Sequence, residues 1–243
     1  DDARLSAAFT AIFDRQLDLS PTFVTSLGLD KGARAGAKSQ LDDNSKSAMM
    51  KRLAMTQAAI KELEGFKTAN LSAPQQLNLD VILYSLGQQT VAPATFGLNS
   101  AVRPYRIFQQ GGSYFSTPDF LNTAHTINAA ADCDAYLARL EAFARNLRTD
   151  SAMQRDEAAR GYLAPGWSLD LTLVQMKKLR DQPAASSSLV QSLVKRAAAK
   201  GISGDWQGPA AAIVEKSIYP ALDAQIAMIE GLRPRTAAGD GVW

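Results

Sequence analysis

The stretch DCDAYLARLEAFARNLRTDSAMQRDEAARG, residues 132–161, carries the longest uninterrupted helical pattern in the chain. Its apolar residues recur every three or four positions, as on one face of an α-helix. The residues that share this face are Tyr136, Leu140, Phe143 and Leu147. Gly161 follows the pattern, and glycine commonly stands just after the last turn of a helix. The spacing therefore predicts a helix from about residue 132 to residue 160.

Segments on both sides repeat this period. Helical patterns cover about 3–19, 21–28, 43–65, 72–92, 117–124, 168–181, 186–200 and 205–230, the last with an expected kink at Pro220. The 72–92 pattern is apolar nearly all round, so this helix is expected to be buried on several sides. Its apolar residues are Leu77, Val81 and Tyr84 with the neighbouring Leu79, Ile82, Leu83 and Leu86. A Gly/Ala/Lys stretch at 31–38 is expected to be an exposed loop.

The predicted fold class is all-α. We expect an irregular multi-helix array in which residues 1–243 form a single helical domain. The longest interruption is a Gly/Pro-containing loop around 93–116, and long ordered loops in compact domains are often functional. No fixed-period repeat is present, which disfavours a solenoid.

The overall composition excludes several classes of protein. The 26 basic and 24 acidic residues give a formal charge of +2, so no strong field is available to attract nucleic acid. No apolar run approaches the roughly 18–20 residues that span a bilayer. The single cysteine, Cys133, excludes an internal disulfide.

Residue types that perform catalysis are scattered rather than clustered. His125 is the one histidine and has no carboxylate or thiol three or four positions away, so it is interpreted as a structural or exposed residue. Ser113 lacks the strand and second glycine of a nucleophile elbow. The aspartates at 42, 43, 132, 134 and 170 lie near predicted helix starts, where capping explains them. We therefore predict neither catalytic residues nor a metal site within this chain.

The stretch QQGGSYFSTPDFL, residues 109–121, divides into two halves. Ser116 or Thr117 is expected to cap a helix with Pro118 in its first turn. In the other half, glycines permit positive φ and close approach of another chain, beside neutral hydrogen-bonding side chains. A tight turn alone explains this half, and the wall of a substrate cleft is the alternative. The candidate substrate-binding residues are Gln110, Gly111, Gly112, Ser113 and Tyr114.

Four stretches taken in order carry a family resemblance. They are PYRIFQQGGSYFSTPDFLNTAHTI (104–127), DCDAYLARLEAF (132–143), GYLAPGWSLD (161–170) and RTAAGDGVW (235–243). Together they resemble the N-terminal half of the bacterial family called domain of unknown function 885. The likeness covers most of the chain from about residue 70, together with the opening helices. Members of that family are large helical proteins, usually exported, that look like gluzincin-type metallopeptidases.

The resemblance implies that this chain forms one wall of a cleft for short peptides or related amides. It also implies that zinc and the general-base glutamate belong to a C-terminal half, in the same or a cleaved chain, because nothing here matches the zinc-binding helix. A first residue other than methionine is interpreted as the result of a removed signal peptide or of a truncation, and the abrupt end as the mark of a piece of a longer protein. Together with the resemblance, the first residue implies a periplasmic or secreted location. The alternatives are a freestanding helical binding module without catalysis and an enzyme complete within these residues.

Overall fold

The computed structural model describes residues 1–237 and residue 239. These residues form ten α-helices joined by short 3₁₀ and π-helical turns, and they contain no β-strand. The helices are α1 (Asp2–Leu17), α2 (Pro21–Ser26), α3 (Lys46–Glu64), α4 (Ala73–Val91), α5 (Ser113–Thr123), α6 (Ala130–Ala159), α7 (Gly166–Arg180), α8 (Ser188–Ala199), α9 (Gln207–Ile213) and α10 (Tyr219–Leu232). The all-α fold class is confirmed. Most of the closing stretch from residue 238 lies outside the described residues.

The chain divides into two compact units. The first comprises residues 1–20 and 44–104, and the second comprises residues 21–43 and those from 105 onward. Within the first unit α1, α3 and α4 pack around one core. That core contains Leu5, Ile12, Ala59, Leu63, Leu71, Leu79 and Leu86. The expectation that one domain spans the whole chain stays a prediction.

Helix α4 is less buried than its composition predicts. Leu79 and Leu86 face the core, but Leu77, Val81 and Tyr84 are 64%, 57% and 71% exposed. The prediction of burial on several sides is therefore wrong. The physical reason is that α1 and α3 cover one side of α4 and leave an apolar row on the other side open.

Helix α6 is the central element of the second unit. It packs against α5, α8, α9 and α10, and its predicted apolar face is completely buried. The periodicity of the quoted stretch therefore gave both the helix and the face that enters the core. The same helix also positions the polar residues described below.

Residues 31–38 do not form the predicted loop, because Gly32–Ser39 is a 3₁₀ helix that packs on α6. The buried guanidinium of Arg139 donates hydrogen bonds to the carbonyl oxygens of Ala37 (3.0 Å) and Gln40 (2.9 Å). A buried cation needs such partners to offset its lost hydration. Arg139 thus fixes a segment that has no strong helical pattern of its own.

The predicted 93–116 loop is shorter than expected. A π-helical turn covers Ala92–Phe96, and α5 already begins at Ser113, so that Pro118 lies inside α5 rather than in its first turn. The carboxylate of Asp150 on α6 accepts the first backbone N–H of α5 and supplies the cap from a distant part of the sequence. A π-helical turn at Val214–Ile218 interrupts the predicted 205–230 helix shortly before Pro220, where a kink was expected.

Candidate functional site

A row of three polar side chains on α6 holds the turn that contains the candidate residues. Asp150, Gln154 and Glu157 are buried and stand at i, i+4 and i+7 of the helix. Glu157 Oε2 accepts the backbone N–H of Arg106 at 2.5 Å, and Gln154 Oε1 accepts that of Ile107 at 2.8 Å. Asp150 Oδ2 accepts the backbone N–H of Ser113 at 2.6 Å. The row therefore anchors both ends of the 106–113 turn.

Glu157 is the ionisable group most affected by this arrangement. Its burial raises the pKa of the carboxyl from 4.5 to about 7, although the backbone N–H of Arg106 and its guanidinium act in the opposite direction. The Arg106 guanidinium does not pair directly with Glu157 but donates from Nε to Asp150 at 2.6 Å. At neutral pH the row thus combines one ion pair with one carboxyl that is partly protonated.

The glycines in the turn have two distinct steric roles. Gly112 has φ +101°, which side chains other than glycine rarely adopt. Gly111 lies under the ring of Phe108, where an added Cβ would stand 2.0 Å from a ring carbon. Gln110 also has a positive φ of 70°. The local chain path therefore depends on the Gly-Gly pair.

Tyr114 and Gln109 connect the turn to α7. The Tyr114 hydroxyl lies 2.8 Å from the carbonyl oxygen of Phe108 and 2.8 Å from Oε1 of Gln175. Burial raises the pKa of this phenol. The backbone N–H of Gln109 donates to Ser168 Oγ at 3.3 Å. The turn consequently lies against the first turns of α7 as well as against α6.

The structure brings all five predicted site residues together in this turn. Gln110 is exposed and Gly112 is partly buried, whereas Gly111, Ser113 and Tyr114 are buried. The backbone N–H groups of Gly111 and Ser113 donate within the protein, to Phe108 and Asp150. Their role in substrate binding stays a prediction. Sequence reasoning missed the α6 row, although its i, i+4, i+7 spacing of polar residues was visible.

Helix α7, on which this turn packs, also carries an exposed apolar row. Trp167, Leu171 and Val174 stand at i, i+4 and i+7 and are all exposed. Asp170, predicted as a helix cap, instead makes a two-pronged ion pair with Arg233, at 2.6 and 2.8 Å. The prediction fails because α7 begins earlier, at Gly166, which places Asp170 in its second turn.

His125 is a structural residue, as the sequence indicated. Its ring is buried, with Nε2 2.8 Å from the carbonyl oxygen of Asp132 and Nδ1 2.6 Å from Nη1 of Arg139. Because a carbonyl oxygen can only accept and a guanidinium can only donate, the ring is neutral with its proton on Nε2. Burial lowers the pKa of His125 to about 4. The Asp132 carboxylate accepts the backbone N–H groups of Asn128 and Ala129, so its predicted capping role is confirmed.

Neither a metal-binding group of side chains nor a membrane-spanning helix is present among the described residues. Across residues 1–237 and 239, no three His, Cys, Asp or Glu side chains are grouped in a way that could hold a metal ion. None of the helices in this part of the chain is both long and apolar enough to cross a membrane.

The chain is thus an all-α protein in which a Gly-Gly turn is fixed by a polar row on a long central helix. The chain belongs to the family described as bacterial proteins of unknown function (DUF885), whose sequence profile matches residues 21–241. Membership of the family is thereby confirmed, whereas the correspondence to its N-terminal half and the metallopeptidase character stay predictions. A search of curated proteins found no match.

A solved structure shares this fold. It is that of a protein from Colwellia psychrerythraea named "putative lipoprotein", with a TM-score of 0.88 and 16% sequence identity. The alignment covers 99% of the present chain and 43% of the Colwellia chain. The present chain therefore spans less than half the length of that relative.

Proposed function

We propose that this chain is the N-terminal, cleft-forming part of an exported, zinc-dependent, metallopeptidase-like hydrolase that acts on short peptides or related amides. In this proposal the metal site lies outside the chain. The observation that carries it is that the 109–112 turn packs on α7, through the hydrogen bond from Gln109 N–H to Ser168 Oγ, and that the same helix carries an exposed apolar row.

The chemistry of this surface suits a short peptide. The exposed Gln110 amide can donate to and accept from a peptide main chain, because it carries both functions. The exposed row Trp167, Leu171 and Val174 on α7 offers an apolar surface on the helix against which the turn packs, and tryptophan is among the residues enriched in the energetic centres of binding surfaces. The two together would orient a peptide by its backbone and hold it by its apolar side chains.

Residues 1–237 and 239 of this chain do not fit a zinc site. The described residues contain no suitable group of ligands, and both ring nitrogens of His125 already have partners. We therefore derive no hydrolytic step from these residues. In the proposed protein the present chain binds and orients the peptide, and the zinc and its general base belong to further polypeptide.

Two comparisons support the wider proposal. The Colwellia protein contains this fold within a chain more than twice as long as the aligned part, which is consistent with a second portion that carries the chemistry. Its name describes a lipoprotein, which supports an exported, periplasmic or secreted location for the present protein. A signal peptide belongs to the same proposal.

A freestanding helical binding module without catalysis is the second candidate. The exposed apolar rows on α4 and α7 favour it, because contiguous exposed apolar surface often marks a site of protein interaction. The two candidates differ in whether a zinc-bearing polypeptide accompanies the chain in its cell of origin.

Fluorescence anisotropy of a fluorescein-labelled tripeptide, leucyl-glycyl-leucine, tests the proposed peptide surface. We expect the purified chain to bind the peptide, and Leu171→Ser to weaken binding by about tenfold through lost apolar contact. Leu77→Ser on α4 is the matched control and should leave binding unchanged. Equal effects of the two substitutions, or no binding, would contradict the assigned surface. Cleavage of the peptide by the chain alone would contradict a metal site outside it.

A further inference from the structure

The exposed row on α4 has a spacing typical of helix pairing. Leu77, Tyr84 and Val91 follow one another at intervals of seven residues. Val81 lies four residues after Leu77 and three before Tyr84, and Gln88 lies four residues after Tyr84 and three before Val91. A seven-residue apolar repeat places side chains on one seam that faces a partner helix. The four apolar members are all exposed, and the seam from residue 77 to residue 91 is about 21 Å long.

The face around this seam is nearly uncharged. Asp80 is the one charged residue among the nineteen of α4, whereas α3, also nineteen residues long, contains six. Helix faces that remain in water normally carry charged and polar residues opposite the core. The α4 face therefore resembles a surface that is covered in an assembly.

We propose that α4 pairs with α4 of a second copy of this chain, antiparallel and with the two-fold axis at Tyr84. The seam is palindromic about that residue: Leu77 and Val91 lie seven positions on either side of it. A two-fold interface requires such self-complementarity, because the same surface is used by both copies. Leu77 would then pack on Val91 of the second copy, and Tyr84 would pack on its own counterpart.

The charge distribution fits this pairing. Asp80 lies four positions before Tyr84 and Gln88 lies four positions after it, so each Asp80 faces the second copy's Gln88. The single charge of α4 therefore meets a neutral amide, which can donate to it, rather than another carboxylate. In a parallel pairing the two Asp80 side chains would lie on opposite flanks of the helix pair, so the contact between Asp80 and Gln88 belongs to the antiparallel arrangement alone.

Sedimentation velocity over a range of concentrations tests the pairing in the chain as it exists. We expect a reversible dimer that the double substitution Leu77→Ser, Val81→Ser weakens by at least about a hundredfold, because four apolar side chains per dimer are removed. Leu171→Ser and Val174→Ser on α7 form the matched control. A monomer at every concentration, or a dimer that the α4 substitutions leave unchanged, would overturn the proposal.

A charge pair at Gln88 tests the orientation without removing apolar surface. Gln88→Lys should tighten the dimer severalfold, because each lysine would face the second copy's Asp80, and Gln88→Glu should weaken it by a similar factor. Changes in the same direction for both variants would overturn the antiparallel arrangement. Neither assay uses peptide or metal, so their failure is distinguishable from failure of the proposed function.

Chemical cross-linking supplies a geometric check. Tyr84→Cys lies on the proposed axis, whereas Gln89→Cys lies on the same helix but away from the seam, and the native Cys133 is buried. A short bis-maleimide reagent should link two copies through Cys at position 84 at least about tenfold faster than through Cys at position 89. Equal rates would contradict the pairing.

Discussion

Replacement of Asp150 by Asn tests how the candidate turn is held. Asp150 is completely buried, and its two carboxylate oxygens accept from Ser113 N and Arg106 Nε, each at 2.6 Å. Asparagine keeps the size of the side chain but loses the charge and presents an N–H₂ group to one of the two donors. The substitution thus removes at least one charge-assisted hydrogen bond and leaves a donor facing a donor.

The expected cost follows from these contacts. Hydrogen bonds to charged groups contribute about 1.5–3 kcal/mol each, and a buried charge pair that loses one partner costs about 3–5 kcal/mol. The Arg106 side chain is 22% exposed, so water can partly solvate it once the partner is lost. We therefore predict that Asp150→Asn lowers the free energy of unfolding by about 2–4 kcal/mol.

Urea unfolding and amide hydrogen exchange measure this effect. Exchange should accelerate at the amides of Ile107 and Ser113, since the turn loses its anchor on α6. Asp156→Asn is the control on the same helix: Asp156 makes a partly exposed i, i+4 pair with Arg160 at 3.9 Å, and its loss should cost less than about 0.5 kcal/mol. A cost below about 1 kcal/mol for Asp150→Asn, or equal costs for the two variants, would refute the reasoning.

Three further predictions concern the same unit and α4. Burial raises the pKa of Glu157 from 4.5 to about 7, so its contribution to stability is complete below pH 4.5 and is lost as the pH rises to 7. Glu157→Gln should therefore have a free energy of unfolding about 1–3 kcal/mol above that of the natural protein at pH 8, with no such difference at pH 4. Urea unfolding at the two pH values measures this difference. Burial lowers the pKa of His125 from 6.5 to about 4, so its contribution to stability is present above pH 6.5 and is lost as the pH falls toward 4. The NMR signal of this imidazole should titrate with a midpoint near pH 4. A midpoint near pH 6.5 would contradict the burial of the ring. Gly111→Ala should displace the ring of Phe108 and lower the melting temperature. Gly87 lies inside α4 with open space around it, so Gly87→Ala should stabilise the protein by about 0.5–1 kcal/mol and raise the melting temperature. A higher melting temperature for Gly111→Ala than for Gly87→Ala would refute the steric account.

Local periodicity predicted the parts of the fold that local interactions determine. The spacing in α6 gave its length and its buried face, and Pro220 gave the position of the break before α10. The same reasoning failed for α4, because hydrophobic composition does not reveal how many neighbours are available to cover a helix. Burial there depends on which helices pack against it.

The candidate site was only partly predictable, for a related reason. Glycine and proline revealed an unusual turn at 109–112, but the residues that fix it, Asp150 and Glu157, lie 37 and 51 positions further along the chain than the amides they bind, those of Ser113 and Arg106. Arg139 likewise orders Ala37 and Gln40 from about 100 positions away. Such tertiary hydrogen bonds cannot be predicted from the sequence around the turn or around Ala37. A regular row of polar residues on a predicted core helix does indicate that the helix binds some other segment, but not which one.

Native mass spectrometry of the protein purified from its own cells is the most direct test of the central proposal. The account predicts that this sequence, 26.1 kDa in mass, is found with further polypeptide, in the same or an associated chain, and with one zinc ion per copy. The 26.1 kDa chain or its dimer without additional polypeptide or metal would contradict the hydrolase and favour the binding module. Stoichiometric zinc on the chain alone would contradict a metal site outside these residues.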